Sequence, residues 1–135
     1  MGSEFSSKNT ILYDDTVPFV PDVKEGMVVK VYDGDTFTIG FYQSYSKIPY
    51  RILVRLRGID TPEMEGVDIR KMVRARAAQR FLSSVILGKR VQLTNVAMEK
   101  YGRLLADVHC DGVYVNQLMV DEHYAVVYDG KRKVV

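Results

Sequence analysis

Between Tyr50 and Ile59 the chain alternates: Ile52, Val54, Leu56 and Gly58 fall on one side, and Arg51, Leu53, Arg55 and Arg57 on the other. That two-residue period predicts a strand with one face turned inward. Upstream, Val28, Val29 and Val31 lead into Asp33-Gly34, a tight-turn dipeptide that tolerates positive φ, and Thr36 to Tyr42 continues with β-branched and aromatic residues. Two strands joined by a short turn are therefore expected before a polar loop from Gln43 to Pro49. After Glu63 the period changes. Ala75, Ala78, Leu82 and Val85, with Phe81 and Ile86, recur at helical spacing, the arginines take the other side, and Gly88 is placed to end the helix. Arg90 to Val96 returns to a strand, and Leu104–Cys110 faces Val113–Val115 across Asp111-Gly112, a hairpin signal. Asn116 is expected to cap a short helix, Gln117 to Glu122, ahead of the apolar run Tyr124 to Tyr128.

Three strands, a helix, two strands and a second short helix predict an α+β domain, mainly β. The natural architecture is a five-stranded OB-fold barrel flanked by two or three helices, an order that other small α+β folds share. The domain is expected over residues 27–135. Residues 6–26 carry acids and prolines with little periodicity and read as an extended arm, with Ile11 to Tyr13 as a short strand. Met1 to Phe5 reads as a cloning remnant, so cellular location is not taken from this end.

A length of 135 residues with 47% hydrophobic content is one domain's worth with enough apolar surface for one core. No apolar run approaches a membrane span. A single cysteine, Cys110, excludes an internal disulfide and a cysteine-built zinc site, and His109 and His123 lack metal-ligand spacing. Any metal must then be held by oxygen. The net charge of +2 gives a weak global field for nucleic acid. Arg70, Lys71, Arg74, Arg76 and Arg80, and the tail Lys131-Arg-Lys133, read as a solvated helix face and a basic tail.

The chemistry gathers at Arg55-Leu-Arg-Gly-Ile-Asp60-Thr-Pro-Glu63, where a strand breaks into a loop. Acids there can hold a hard cation, and a nearby guanidinium meets developing negative charge. An ordinary Asx-type turn accounts for Asp60 and Pro62 but leaves Glu63 available as a general base; Glu65 and Asp68 compete for that role by proximity alone. A turn also accounts for Asp33, leaving Asp35 as the better ligand. Arg103, in Lys100-Tyr-Gly-Arg103, starts a strand; Lys100 and Tyr101 beside it are suited to a flanking phosphate. Each of these residues taken singly is more simply a surface or turn residue. Among the later tyrosines, Tyr124 and Tyr128 read as core or groove wall, and Tyr101 as the one free to contact a base.

It is their co-occurrence that is specific. D-G-D-T at 33–36, R-L-R-G-I-D-T-P-E at 55–63, K-Y-G-R at 100–103 and D-G-V-Y-V-N at 111–116 resemble the staphylococcal nuclease (thermonuclease) family, from about Met27 to Tyr128. The resemblance implies an OB-fold enzyme that cleaves DNA and RNA with calcium, favouring single-stranded or unpaired regions and leaving 3′-phosphates and 5′-hydroxyls. By position it implies Asp35, Asp60 and the Thr61 carbonyl as calcium ligands. It also implies Glu63 on the attacking water, Arg55 and Arg103 around the phosphate, and Lys100 and Tyr101 on a neighbouring phosphate. A monomer is expected. The stretch between Glu63 and the first helix is shorter than in the bacterial prototype, the Gln43–Pro49 loop is longer, and the chain ends soon after Tyr128. Nuclease-like modules that bind nucleic acid or a protein without catalysis are the alternative. The complete set Asp35, Arg55, Asp60, Glu63 and Arg103 favours the enzyme.

Overall fold

Five strands close on themselves. In the computed structural model, which describes residues 9–63 and 68–128, β1 (Glu25–Asp33) pairs with β2 (Thr36–Tyr42), and β2 with β3 (Pro49–Leu56), all antiparallel. A two-residue strand, β4 (Ile59–Asp60), follows. Helix α1 (Ile69–Ile86) leads to β5 (Arg90–Met98), which joins β1 to β6 (Leu104–Cys110). The ring shuts where Val54–Leu56 run parallel to Leu104–Ala106. The order around the barrel is thus β1-β2-β3-β6-β5, the five-stranded Greek-key arrangement of an OB fold. The final elements are β7 (Val113–Tyr114), α2 (Val115–Asp121) and β8 (Val126–Val127), the last pairing with β4.

The alternation in β3 is realised. Val54 and Leu56 are fully buried with Phe37, Ile39, Val91, Leu104 and Val108, while Arg51 stays in solvent. Of the predicted stripe, helix α1 buries Ala75, Ala78, Leu82 and Ile86, with Phe81 and Val85 half-buried against the core, and its five basic residues face water. Asp68 caps it by accepting from the Arg70 N–H at 2.9 Å, and Gly88, at φ 77°, follows its end. The Lys131–Lys133 tail and Glu65 lie outside the described residues.

Several local expectations are corrected. Ile11 to Tyr13 forms no strand. Ile11, Leu12 and Tyr13 are exposed with no pairing partner, and a short 3-10 turn occupies Tyr13–Asp15. The second helix begins at Val115, and Asn116 is not its cap. Its amide is buried inside the barrel wall, where Oδ1 accepts from the Val108 N–H and Nδ2 donates to the carbonyls of Arg57 and Ala106. The Val108 N–H and the Arg57 carbonyl rely on that one side chain, whereas the Ala106 carbonyl also accepts from the Arg57 N–H at 2.9 Å. Asn116→Ala should therefore lower stability by about 2–4 kcal/mol, from two backbone groups left unpaired; an unchanged urea midpoint would contradict this clamp.

Gly34 also differs in its reason for being glycine. It is absent from the positive-φ glycines of the described residues, so turn geometry does not demand it. A Cβ there would stand 2.6 Å from the Cβ of Ala78 and 3.1 Å from the Thr61 Cγ2. The glycine lets α1 lie directly on the turn between β1 and β2. Gly34→Ala is expected to cost about 1–3 kcal/mol by overpacking, measured by denaturant unfolding. It should also lower activity, since Asp33 and Asp35 flank the displaced residue.

Candidate active site

The turn after β1 carries Asp33 and Asp35, the end of β3 carries Arg55, β4 ends in Asp60, and β6 starts just after Arg103. Barrel closure brings these segments together, because Thr36 is in register with Arg55 and β3 runs beside β6. Asp33, Asp35, Arg55, Asp60, Thr61, Pro62, Glu63 and Arg103 line one cavity of ≈ 200 Å³.

Arg55 organises the acids. Its Nη2 donates to the Ile59 carbonyl at 3.1 Å and lies 3.4 Å from both Asp35 Oδ2 and Asp60 Oδ1. Asp35 Oδ1 accepts from the Thr36 hydroxyl at 3.0 Å, and Asp60 Oδ1 from the Thr61 N–H at 3.1 Å. Both aspartates and Thr61 are buried. Arg103 is held from the opposite side by Glu99, Nε to Oε1 at 2.9 Å, in a turn closed by the Glu99 N–H donating to the Arg103 carbonyl at 2.7 Å. Lys100 and Tyr101 occupy that turn but do not line the cavity; Tyr101 is exposed, with the Lys100 Nζ 5.7 Å from its ring centre.

Asp33 is more than a turn former. Its side chain reaches the cavity wall, and its buried Oδ1 has no hydrogen-bond partner. Burial raises its carboxyl above the usual carboxylate range, with Asp35 and Glu63 adding to the rise, while Arg103 and Arg55 oppose it. Its signal in the sequence was the one-residue gap to Asp35. Tyr128, read from the sequence as core or groove wall, stands beside the site. Its ring centre lies 5.8 Å from the Arg55 guanidinium carbon, and its N–H donates to the Gly58 carbonyl at 2.8 Å. No local pattern points to it, since the contact arises from the pairing of β4 with β8. Tyr124 stacks on Phe81 at 4.6 Å, as a wall residue should. Asp68 is engaged as a helix cap and is thereby removed as a rival to Glu63.

The donor set suits a hard divalent cation. Four carboxyl groups face two guanidiniums around the cavity, all candidate donors are oxygens, and one buried carboxylate oxygen is unpartnered. Among the described residues, no three of His, Cys, Asp and Glu are gathered closely enough to cage an ion unaided. Any ion here would rest on two carboxylates and backbone oxygen, with the remaining positions open to water and phosphate oxygens, as calcium's loose coordination permits.

A closed five-stranded barrel whose rim gathers acids and arginines in one cleft defines a nuclease-type domain of the staphylococcal class. Residues 53–134 match the staphylococcal nuclease homologue family, and the chain belongs to that family. The match includes Arg55, Asp60, Glu63 and Arg103; Asp33 and Asp35 precede it. An Escherichia coli O157:H7 protein described as an uncharacterized endonuclease is 34% identical over 105 residues, 77% of this chain and 61% of its own length. A Bacillus anthracis protein of undescribed activity is 32% identical over 106 residues, 76% of this chain and 47% of its own. A probable staphylococcal-like nuclease of Oryza sativa subsp. japonica is 35% identical over 79 residues, 58% of this chain and 22% of its own. The chain thus spans only part of the length of these relatives. Among the described residues no helix is long and apolar enough to cross a membrane.

Proposed function

We propose that this domain is a calcium-dependent endonuclease that hydrolyses phosphodiester bonds of DNA and RNA, with a preference for unpaired strands. The observation that carries the reading is the convergence of Asp35, Arg55, Asp60, Glu63 and Arg103 on one small cavity from distant parts of the chain. Asp35, Asp60 and the Thr61 carbonyl would hold calcium. Bound there, calcium supplies fixed positive charge to the phosphate oxygens and helps a nearby water to lose its proton.

The residues account for the rest. Glu63 takes a proton from the attacking water. As the water oxygen bonds to phosphorus, the bond to the 5′ oxygen breaks, and that oxygen takes a proton from surrounding water and leaves as a 5′-hydroxyl. The 3′ side keeps the phosphate. Negative charge grows on the non-bridging oxygens, where the planar forks of Arg55 and Arg103 meet it. Arg55 is preorganised by its bonds to Asp35, Asp60 and Ile59. Lys100 and Tyr101, exposed on the Arg103 turn, would contact the adjacent phosphate.

Incubation with plasmid DNA and with RNA tests this reading. Cleavage is expected with calcium, lost with a chelator and restored by added calcium, and end-group analysis should find 3′-phosphates. Persistent cleavage in chelator would reject the metal requirement, and 3′-hydroxyl ends would place the broken bond on the other side of phosphorus.

A further inference from the structure

The β2–β3 hairpin has properties that the cleft does not use. Between Asp35 and Asp60 the chain has no acid, yet it carries Lys47, Arg51, Arg55 and Arg57 together with Tyr42, Tyr45 and Tyr50. The hairpin extends from the Thr36–Arg55 pair at the cleft to the Tyr42–Pro49 pair at its far end, roughly 20 Å at the usual rise per strand residue. Arg51 lies on the same side of β3 as Arg55, two side-chain repeats further from the cleft, and is exposed.

At the far end a cavity of ≈ 650 Å³ is lined by residues that include Tyr45, Tyr50 and Arg51, and by no acid. Tyr50 is set against Phe41 with ring centres 6.4 Å apart. Tyr45 is fully exposed at φ 67°, a left-handed backbone that bulky residues seldom adopt. The turn around it is nonetheless closed. The Ser46 N–H donates to the Gln43 carbonyl at 3.0 Å, and the Ile48 N–H to the Ser46 hydroxyl at 3.2 Å. An aromatic ring held in strained backbone, with no packing role, points to a ligand rather than to the fold. The adjacent groove differs: it mixes Asp22 and Glu25 with Lys24 and Arg90 and offers a polyanion no consistent sign.

We propose that the hairpin tip is a second contact site for single-stranded polynucleotide. Tyr45 stacks on an unpaired base, while Lys47 and Arg51 hold phosphates of the strand whose other end lies in the cleft. The inference rests on the nuclease reading of the cleft, which supplies the strand. Unpaired bases are required because a duplex keeps its base faces covered.

The test uses the whole chain in chelator, where binding is read without cleavage. Fluorescence anisotropy compares an oligothymidylate long enough to reach both places with a trinucleotide that reaches only one. Tyr45→Gly removes the ring while relieving the backbone, so the fold is retained; Arg51→Ala changes an exposed residue. Each should weaken the long strand about fivefold or more, and Arg51→Ala should also reduce the salt slope by about 0.7, with trinucleotide affinity unchanged. Unchanged affinity for the long strand in both variants would overturn the proposal. So would equal weakening of the trinucleotide, or tighter binding of an acidic peptide than of the oligothymidylate. Because the readout is binding, a protein that binds as described but cleaves nothing would reject the nuclease reading and leave this site standing.

Discussion

Glu63→Gln is expected to lower the rate of cleavage about 10²–10⁴-fold, the range for removing a positioned general base, while calcium affinity and thermal unfolding should stay near wild type. The substitution keeps the size of the side chain and its hydrogen-bonding reach but removes its capacity to accept a proton. Glu63 is exposed at the mouth of the cavity, unlike the buried Asp35 and Asp60, so its replacement leaves the packing of the wall intact. Retention of more than about a tenth of the rate would transfer the base to another group, because a factor of ten is below what general-base catalysis supplies. Asp68 is a poor heir, since it is committed to the Arg70 N–H.

Replacing Arg55 has a double effect. Arg55→Ala is expected to cost about 10²–10³-fold or more in rate, as for other preorganised donors. It also removes the cation between two nearly buried carboxylates, whose contacts with it have side-chain exposures of 13%/10% and 13%/5%. Leaving such charges uncompensated costs about 3 kcal/mol or more. Calcium should return part of that loss, so the stability deficit of Arg55→Ala is larger in chelator than in calcium. Arg103→Ala makes the contrast. Its pair with Glu99 has side-chain exposures of 32%/24%, and its removal should change stability by at most about 1 kcal/mol while losing a similar factor in rate. Equal stability losses in the two variants, independent of calcium, would contradict the arrangement.

What could be read from the sequence follows from the range of the forces involved. The β3 alternation and the α1 stripe of Ala75, Ala78, Leu82 and Val85, with Phe81 and Ile86, were legible because each element packs one face against a common core, and burial imposes the period. The Asp111-Gly112 hairpin was legible because its turn needs two residues at positive φ, here 52° and 79°. Asn116 was misread for the opposite reason. Ahead of a helix an asparagine resembles a cap, and only the closed barrel shows the Arg57, Ala106 and Val108 backbone groups it serves. Gly34 was assigned to turn geometry, whereas the controlling contact is with Ala78, far along the chain. Tyr128 comes to stand beside Arg55 through the two-residue β4–β8 pairing. Elements so short leave no periodic trace. The candidate catalytic residues stand out in the sequence by type and placement and take their specific roles from the motif resemblance, and the fold adds that most of them share one cavity while Lys100 and Tyr101 stand outside its wall.

The most direct test is the cleavage rate of a single-stranded oligonucleotide, followed as calcium is raised from chelated to saturating levels, for the wild type and for Asp60→Asn. No cleavage in chelator and saturable activation of the wild type are expected. The half-saturating calcium concentration should be at least about tenfold higher in the variant, a factor equivalent to about 1.4 kcal/mol. Wild-type cleavage in chelator, or the same calcium dependence in both proteins, would contradict the calcium-dependent mechanism.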